Sequence, residues 1–126
     1  MSDYVDYFVQ QLGGEYSENA YYSLVEMDDA LVPDLIAAYY AATKLRVKIT
    51  IVEIVGEHRR KEDILFLIEA ATNENASIWQ AALDGLVKIG SETSVTALKE
   101  LMLRTDDHNK QEWIEEAIQQ IVHGLD

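Results

Sequence analysis

The apolar positions of this chain recur every three or four residues over most of its length, the spacing of one face of an α-helix. In the first segment the apolar positions are Val5, Phe8, Val9 and Leu12. A serine precedes this run and two glycines follow it, which favours a helix start and a helix stop. The same spacing predicts helices over 3–12, 19–27, 31–43, 44–55, 62–72, 77–89, 94–104 and 111–122.

The segment 44–55 is rich in β-branched residues, a composition that alone is also typical of a strand. Its apolar run is longer than most strands, and its counterpart 34 residues later, AALDGLVKI, has a clear helical pattern. We therefore expect a helix there.

The pattern repeats with a period of 34 residues. Gly56, Gly90 and Gly124 follow this spacing near predicted helix ends, where glycine commonly adopts the left-handed conformation that ends a helix. Leu45, Trp79 and Trp113 share the spacing near the helix starts. The two tryptophans are expected to fill the seam between repeats, with an exposed position as the alternative. Since one helix pair cannot bury its own apolar face, the repeat predicts stacked pairs.

Two stretches, AALDGLVKIGSETSVTALKELM and VPDLIAAY, resemble HEAT-like repeats of the phycobilisome-lyase type. The resemblance covers residues 19–126 and implies an all-α fold, a short right-handed α-solenoid of about three to four helix pairs. The lyases of this type are larger and act on pigment attached to cysteine, and none of their active residues is present. Tetratricopeptide repeats share the period but not the residue pattern, and a plain helical bundle is the main alternative fold.

We expect one domain over residues 1–126. Its ends are predicted to be an N-terminal capping helix, 1–14, and a C-terminal capping helix, 111–124. Between them lie helix pairs at 19–43, 44–72 and 77–104. The register of the repeat weakens in the last helix, as expected for a terminal element that faces solvent.

Composition narrows the classes of function. The formal charge is −13, and residues 1–43 contain eight acidic residues but no lysine or arginine. Such a surface repels nucleic acid and attracts basic proteins, although acidity also serves solubility alone. Cysteine is absent, which removes thiolate chemistry and agrees with a cytoplasmic location. The acidic first residues do not resemble a signal peptide, and no apolar run reaches the roughly 18 residues of a membrane span.

The sequence contains no recognised motif of catalytic or metal-binding residues, so we expect a protein without enzymatic activity or cofactor. His58, His108 and His123 lie in separate segments without a recognised ligand spacing. The acidic pairs 28–29 and 106–107 precede helices and are interpreted as caps. The one basic cluster, GEHRRK at 56–61, is interpreted as a solvated turn rather than a phosphate contact.

The candidate binding residues are acidic and aromatic. All seven tyrosines lie in the first 40 residues, and adjacent pairs such as Tyr39 and Tyr40 cannot both be buried on one helical face. Phe66 falls outside the stripe of Ile64, Leu67 and Ile68, so it is predicted on the open face of its helix. The predicted protein-binding residues are Asp28, Asp29, Asp34, Tyr40, Glu62, Asp63, Phe66 and Glu69.

These features predict a protein-interaction module that binds a basic protein as a monomer or weak oligomer. Small acidic bacterial proteins with HEAT-like repeats that act as immunity proteins are similar in size and charge, which implies a cognate toxin as partner. An adaptor or assembly subunit of a larger complex has the same features. An enzyme whose site forms only on folding is the third possibility. Nucleic acid and membrane are not expected partners.

Overall fold

The computed structural model describes residues 2–125, which form eight α-helices and two short 3₁₀ turns. The helices are α1 (Asp3–Gln11), α2 (Ser17–Glu26), α3 (Val32–Ala41), α4 (Leu45–Glu57), α5 (Ile64–Ala71), α6 (Ala76–Ile89), α7 (Glu92–Leu103) and α8 (His108–Leu125). The 3₁₀ turns, Asp29–Leu31 and Lys61–Asp63, lead into α3 and α5. The prediction that the β-branched segment is a helix is confirmed, since it forms α4.

The helices are arranged in two layers. The even-numbered helices stack in the order α2, α4, α6 and α8, and we call them the first helices. The odd-numbered helices α1, α3, α5 and α7 form the other layer, and we call them the second helices. Each second helix also packs against the first helix that follows it in the chain. Residues 2–125 contain no strand, and the architecture is an all-α solenoid, as the repeat predicts.

Local sequence signals explain where several helices begin. The hydroxyl group of Ser91 accepts a hydrogen bond from the Ser94 amide at the start of α7, at 3.2 Å. One residue of each acidic pair acts as a cap, Asp28 and Asp107. The carboxylate of Asp28 accepts from the Ala30 amide at 2.8 Å, and that of Asp107 accepts from two amides at the start of α8. These contacts satisfy amide groups that have no partner within their own helix.

The three glycines of the 34-residue register have different roles. Gly90 ends α6 with φ of 63°, as predicted. Gly56 and Gly124 also lie at helix ends, one residue before the last residues of α4 and α8, but neither adopts the left-handed conformation. Gly56 instead lies against Gly85 of α6, so close that an added Cβ atom would be 2.8 Å from the Gly85 Cα atom. The absence of both side chains therefore lets two neighbouring first helices approach each other.

The core runs between the two layers along the whole stack. Leu67 in α5 and Leu86 in α6 are completely buried. At the seam between α6 and α8, the rings of Trp79 and Trp113 meet edge to face with centroids 5.8 Å apart. Trp79 is buried, whereas Trp113 is nearly half exposed. The tryptophans thus occupy the predicted seam, one in the core and one at its surface.

Candidate protein-binding surface

The rotation of α5 decides which of its side chains face solvent. Ile64, Phe66 and Leu67 are buried, while Leu65 is 82 % exposed. The prediction that Phe66 lies on the open face is therefore wrong, by one residue. Glu69, four residues after Leu65, is exposed on the same side of α5. Glu62, in the 3₁₀ turn that leads into α5, is exposed as well. The apolar side chain available to a partner at this place is Leu65.

Phe66 is buried because α3 covers it. Its ring packs edge to face on Tyr39, with centroids 5.2 Å apart, and on Tyr40 at 6.1 Å. Ala70, one turn along α5, is also buried and continues this contact face. A sequence signal for this rotation existed, since Phe66 and the small Ala70 are spaced i and i+4. Phe66 therefore supports the exposed residues from beneath instead of contacting a partner itself.

Tyr40 and Glu69 join α3 to α5 at the surface. The Tyr40 hydroxyl group donates a hydrogen bond to the Glu69 carboxylate. Desolvation, together with this carboxylate, raises the pKa of Tyr40 to about 12. Tyr40 remains 54 % exposed, whereas the neighbouring Tyr39 is buried beneath Lys48. The expectation that only one ring of this pair can be buried is confirmed.

Asp29 is exposed but already has partners within the chain. Its carboxylate lies 2.7 Å from Nδ1 of His58, and Nε2 of the same ring lies 2.9 Å from the Leu24 carbonyl oxygen. Both partners are acceptors, so the ring satisfies both contacts when each nitrogen carries a proton. The Arg60 guanidinium donates to the Asp29 carbonyl oxygen at 2.5 Å. Asp29 therefore helps to join two neighbouring turns of the solenoid.

Asp63 is buried, contrary to its prediction as a binding residue. Only 3 % of it is exposed, and its carboxylate lies 3.6 Å from Nε of Arg60. Burial raises the pKa of Asp63, while the Arg60 charge acts in the opposite direction. The interpretation of GEHRRK as a solvated turn is also wrong in part, because the side chain of His58 is only 2 % exposed. The partners of His58 are distant in sequence, Asp29 and Leu24, whereas the charged partner of Asp63 is the nearby Arg60.

The structure thus brings together part of the predicted set. Tyr40, Glu62, Leu65 and Glu69 form one exposed surface on the second helices, which we call the open-face patch. Asp34 is half-buried in the first turn of α3, and Asp28 and Asp29 belong to the turn before it. Leu65 is the member of the patch that sequence reasoning missed.

A cavity lies between the α5–α6 turn and the α7–α8 turn. It has a volume of about 560 Å³, with Trp79 in its lining and charges of both signs. The Lys110 ammonium group lies 5.5 Å from the centroid of the Trp79 ring, and burial lowers the pKa of Lys110. Because acidic and basic side chains both line this cavity, it selects no single charge of ligand.

Two further findings concern metals and membranes. Among residues 2–125, no group of three or more histidine, aspartate or glutamate side chains could hold a metal ion. Within the same residues, no helix is both long enough and apolar enough to cross a lipid bilayer.

Comparison with known proteins agrees with the geometry. A family model described as HEAT repeats matches residues 32–119, from the start of α3 into α8. No curated protein sequence matches the chain. The family match covers well over half of the chain. This chain belongs to the HEAT-repeat family.

Proposed function

We propose that this chain is a protein-interaction module that binds a basic protein through the open-face patch. HEAT repeats commonly mediate protein–protein interactions and are typically non-catalytic scaffolds. The observation that carries the proposal is Leu65, which projects into solvent from a second helix between two carboxylates. An apolar side chain with an acidic rim is suited to a partner that presents an apolar residue among lysines or arginines.

The charge of this chain supports a partner with a positive net charge. The chain carries a charge of −13, and the segment before Lys44 has no basic side chain. Such a field accelerates association with a basic protein and is screened over about 8 Å at physiological salt. The acidic residues outside the patch, including Asp28 and Asp34, are proposed to act through this long-range field rather than by direct contact.

The test compares proteins captured from host lysate by immobilised variants. Wild-type chain should retain a basic protein, and Leu65→Asp should lose it. The matched control is Leu103→Asp, because Leu103 is similarly exposed but lies on α7. With the captured protein purified, Glu62→Lys combined with Glu69→Lys should lower the association rate, and Leu65→Ala should mainly raise the dissociation rate. Capture that is unaffected by Leu65→Asp, or of acidic proteins only, would refute the proposed surface.

The most specific form of the proposal is that the partner is a bacterial toxin domain and that this chain is its immunity protein. Strong acidity supports this form. The partner, expressed alone, should then arrest growth, and coexpression of this chain should restore it. A partner that is harmless alone and assembles with further subunits would instead indicate an adaptor.

A further inference from the structure

A groove opens between α1 and α3, next to the open-face patch. It has a volume of about 400 Å³, and small and apolar residues line much of it, namely Val9 of α1, Gly13 just after α1, Ala38 and Ala41 of α3, and the buried Val47 of α4. We call it the α1–α3 groove. Since the helices on both of its sides lie within the described residues, the groove is an internal feature of the helix stack.

The sizes of the side chains on α3 explain why this groove is open. Towards α5, α3 presents Tyr39 and Tyr40, whose rings pack on Phe66. Towards α1 it presents Ala38 and Ala41, which carry one methyl group each. Protein interiors are close-packed, so a space of this kind between two adjacent helices is not usual. Aromatic rings fill the seam between α3 and α5, whereas the α1–α3 groove has room for further apolar atoms.

The α1–α3 groove adjoins the open-face patch. Ala37, Tyr40 and Ala41 are exposed and are spaced i, i+3 and i+4, so they lie on one side of α3. Tyr40 belongs to the open-face patch, and Ala41 lines the groove. A partner that covers Leu65 and Tyr40 therefore reaches the groove by extending across α3.

The charges around the groove favour a basic partner. Helices α1, α2, α3 and α5 contain no lysine or arginine, while α1 and α3 carry Asp3, Asp6 and Asp34. Among residues 2–125, the only basic residue that lines the groove is Lys44, just before α4. An apolar groove in an acidic surface is complementary to an apolar side chain that is carried among arginines or lysines.

We infer that the α1–α3 groove receives an apolar side chain from a basic protein segment, and that it extends the interface of the open-face patch from α5 to α1. The inference rests on the proposed function for the partner that carries this segment. Insertion removes apolar area of both proteins from water and so stabilises the docked complex. The acidic surface around the groove accelerates formation of that complex.

Nuclear magnetic resonance of the isotope-labelled chain tests the groove, with the synthetic peptide Arg-Arg-Leu-Arg-Arg as the probe at physiological salt. The backbone amide signals of Gly13, Ala41 and Ala42 should shift and saturate as the peptide is added. Replacing the leucine of the peptide by alanine should weaken binding by about tenfold, because less apolar area is buried. The peptide Glu-Glu-Leu-Glu-Glu should not bind.

A variant that fills the groove provides the second test. Ala41→Phe places a ring in the groove from an exposed position, so the fold should be retained, which circular dichroism checks. This variant should bind the arginine peptide about tenfold more weakly or worse. The matched control is Ala76→Phe, an exposed alanine at the first residue of α6 outside the groove, and it should bind like wild type.

Several results would overturn the inference. They are equal affinities of the leucine and alanine peptides, signal shifts that map away from the groove, and unchanged binding by Ala41→Phe. Equally tight binding of the uncharged N-acetyl-leucine amide would instead indicate a pocket for small apolar molecules. Groove signals that change when the chain alone is diluted would indicate that a second copy occupies it.

The captured protein separates this inference from the proposed function. Ala41→Phe should raise the dissociation rate of that protein by about tenfold. If capture depends on Leu65 but not on Ala41, the open-face patch stands and the inference about the groove is overturned. If wild-type chain captures no basic protein although the arginine peptide occupies the groove, the proposed partner fails and the groove stands as a site for basic segments with an apolar side chain.

Discussion

Replacing Gly56 by alanine separates helix propensity from helix packing in a single measurement. In an exposed helix interior, a glycine-to-alanine change stabilises the folded state by about 1 kcal/mol. At Gly56 the new methyl group would be 2.8 Å from the Gly85 Cα atom, 0.6 Å short of the 3.4 Å at which ordinary contact begins. The obstacle is backbone, so no side-chain rotation relieves it, and α4 and α6 must move apart.

Separation of these two helices costs more than the propensity gain. Overpacking of a well-packed core typically costs about 1–3 kcal/mol. A gap of about 0.5–1 Å also forfeits a quarter to a half of the dispersion energy of each affected contact. We therefore expect Gly56→Ala to lower the free energy of unfolding by about 1–3 kcal/mol. Gly85→Ala should cost less, because part of its obstacle is the Leu67 side chain, at 3.2 Å, which can rotate.

The assay is urea denaturation followed by far-ultraviolet circular dichroism, with the slope of the transition compared between variants. The matched control is Gly124→Ala, which lies in a helix with nothing within 4 Å of the added Cβ atom. It should be neutral or stabilising by up to about 1 kcal/mol. If Gly56→Ala is as stable as Gly124→Ala, the close approach of α4 and α6 is not a packing constraint and the reasoning fails.

Three further measurements test the core, a cap and a titrating group. Leu67→Ala or Leu86→Ala should each destabilise by about 2–5 kcal/mol, whereas Glu69→Ala should cost well under about 1 kcal/mol; similar losses in denaturant titrations would contradict the assigned rotation of α5. Asp107→Ala should cost about 1 kcal/mol through loss of the α8 cap, and an unchanged melting temperature would show that water replaces the carboxylate. Desolvation and the Glu69 carboxylate hold the pKa of Tyr40 at about 12 against an ordinary 10.0, so the folded chain keeps a phenolic proton that the unfolded chain loses. The stabilisation that the raised Tyr40 pKa gives to the folded state is complete below pH 10 and disappears towards pH 12. The wild-type free energy of unfolding should therefore fall more steeply between these pH values than that of Tyr40→Phe. Parallel pH profiles of the two proteins would rule out this coupling.

The sequence by itself determined the helices and their repeat. Helical spacing of apolar residues is a local property, and the 34-residue recurrence requires each pair to bury the same face against a neighbour. For that reason the segment 44–55 could be identified as helical despite its β-branched residues. The capping roles of Asp28 and Asp107 were predictable too, since a cap bonds amide groups only two or three residues away.

Tertiary structure alone decided which residues of the candidate site face solvent. On a short helix such as α5, a rotation by one residue position decides whether Leu65 or Phe66 faces solvent. The rotation depends on the two tyrosines of α3 that pack on Phe66. The sequence places His58 in a solvated turn because its partners, Asp29 and Leu24, lie about 30 residues away. Gly56 occupies the repeat position that was predicted to end a helix, but its role is to pack closely against Gly85, 29 residues away. Burial is set by contacts distant in sequence, and periodicity cannot specify those.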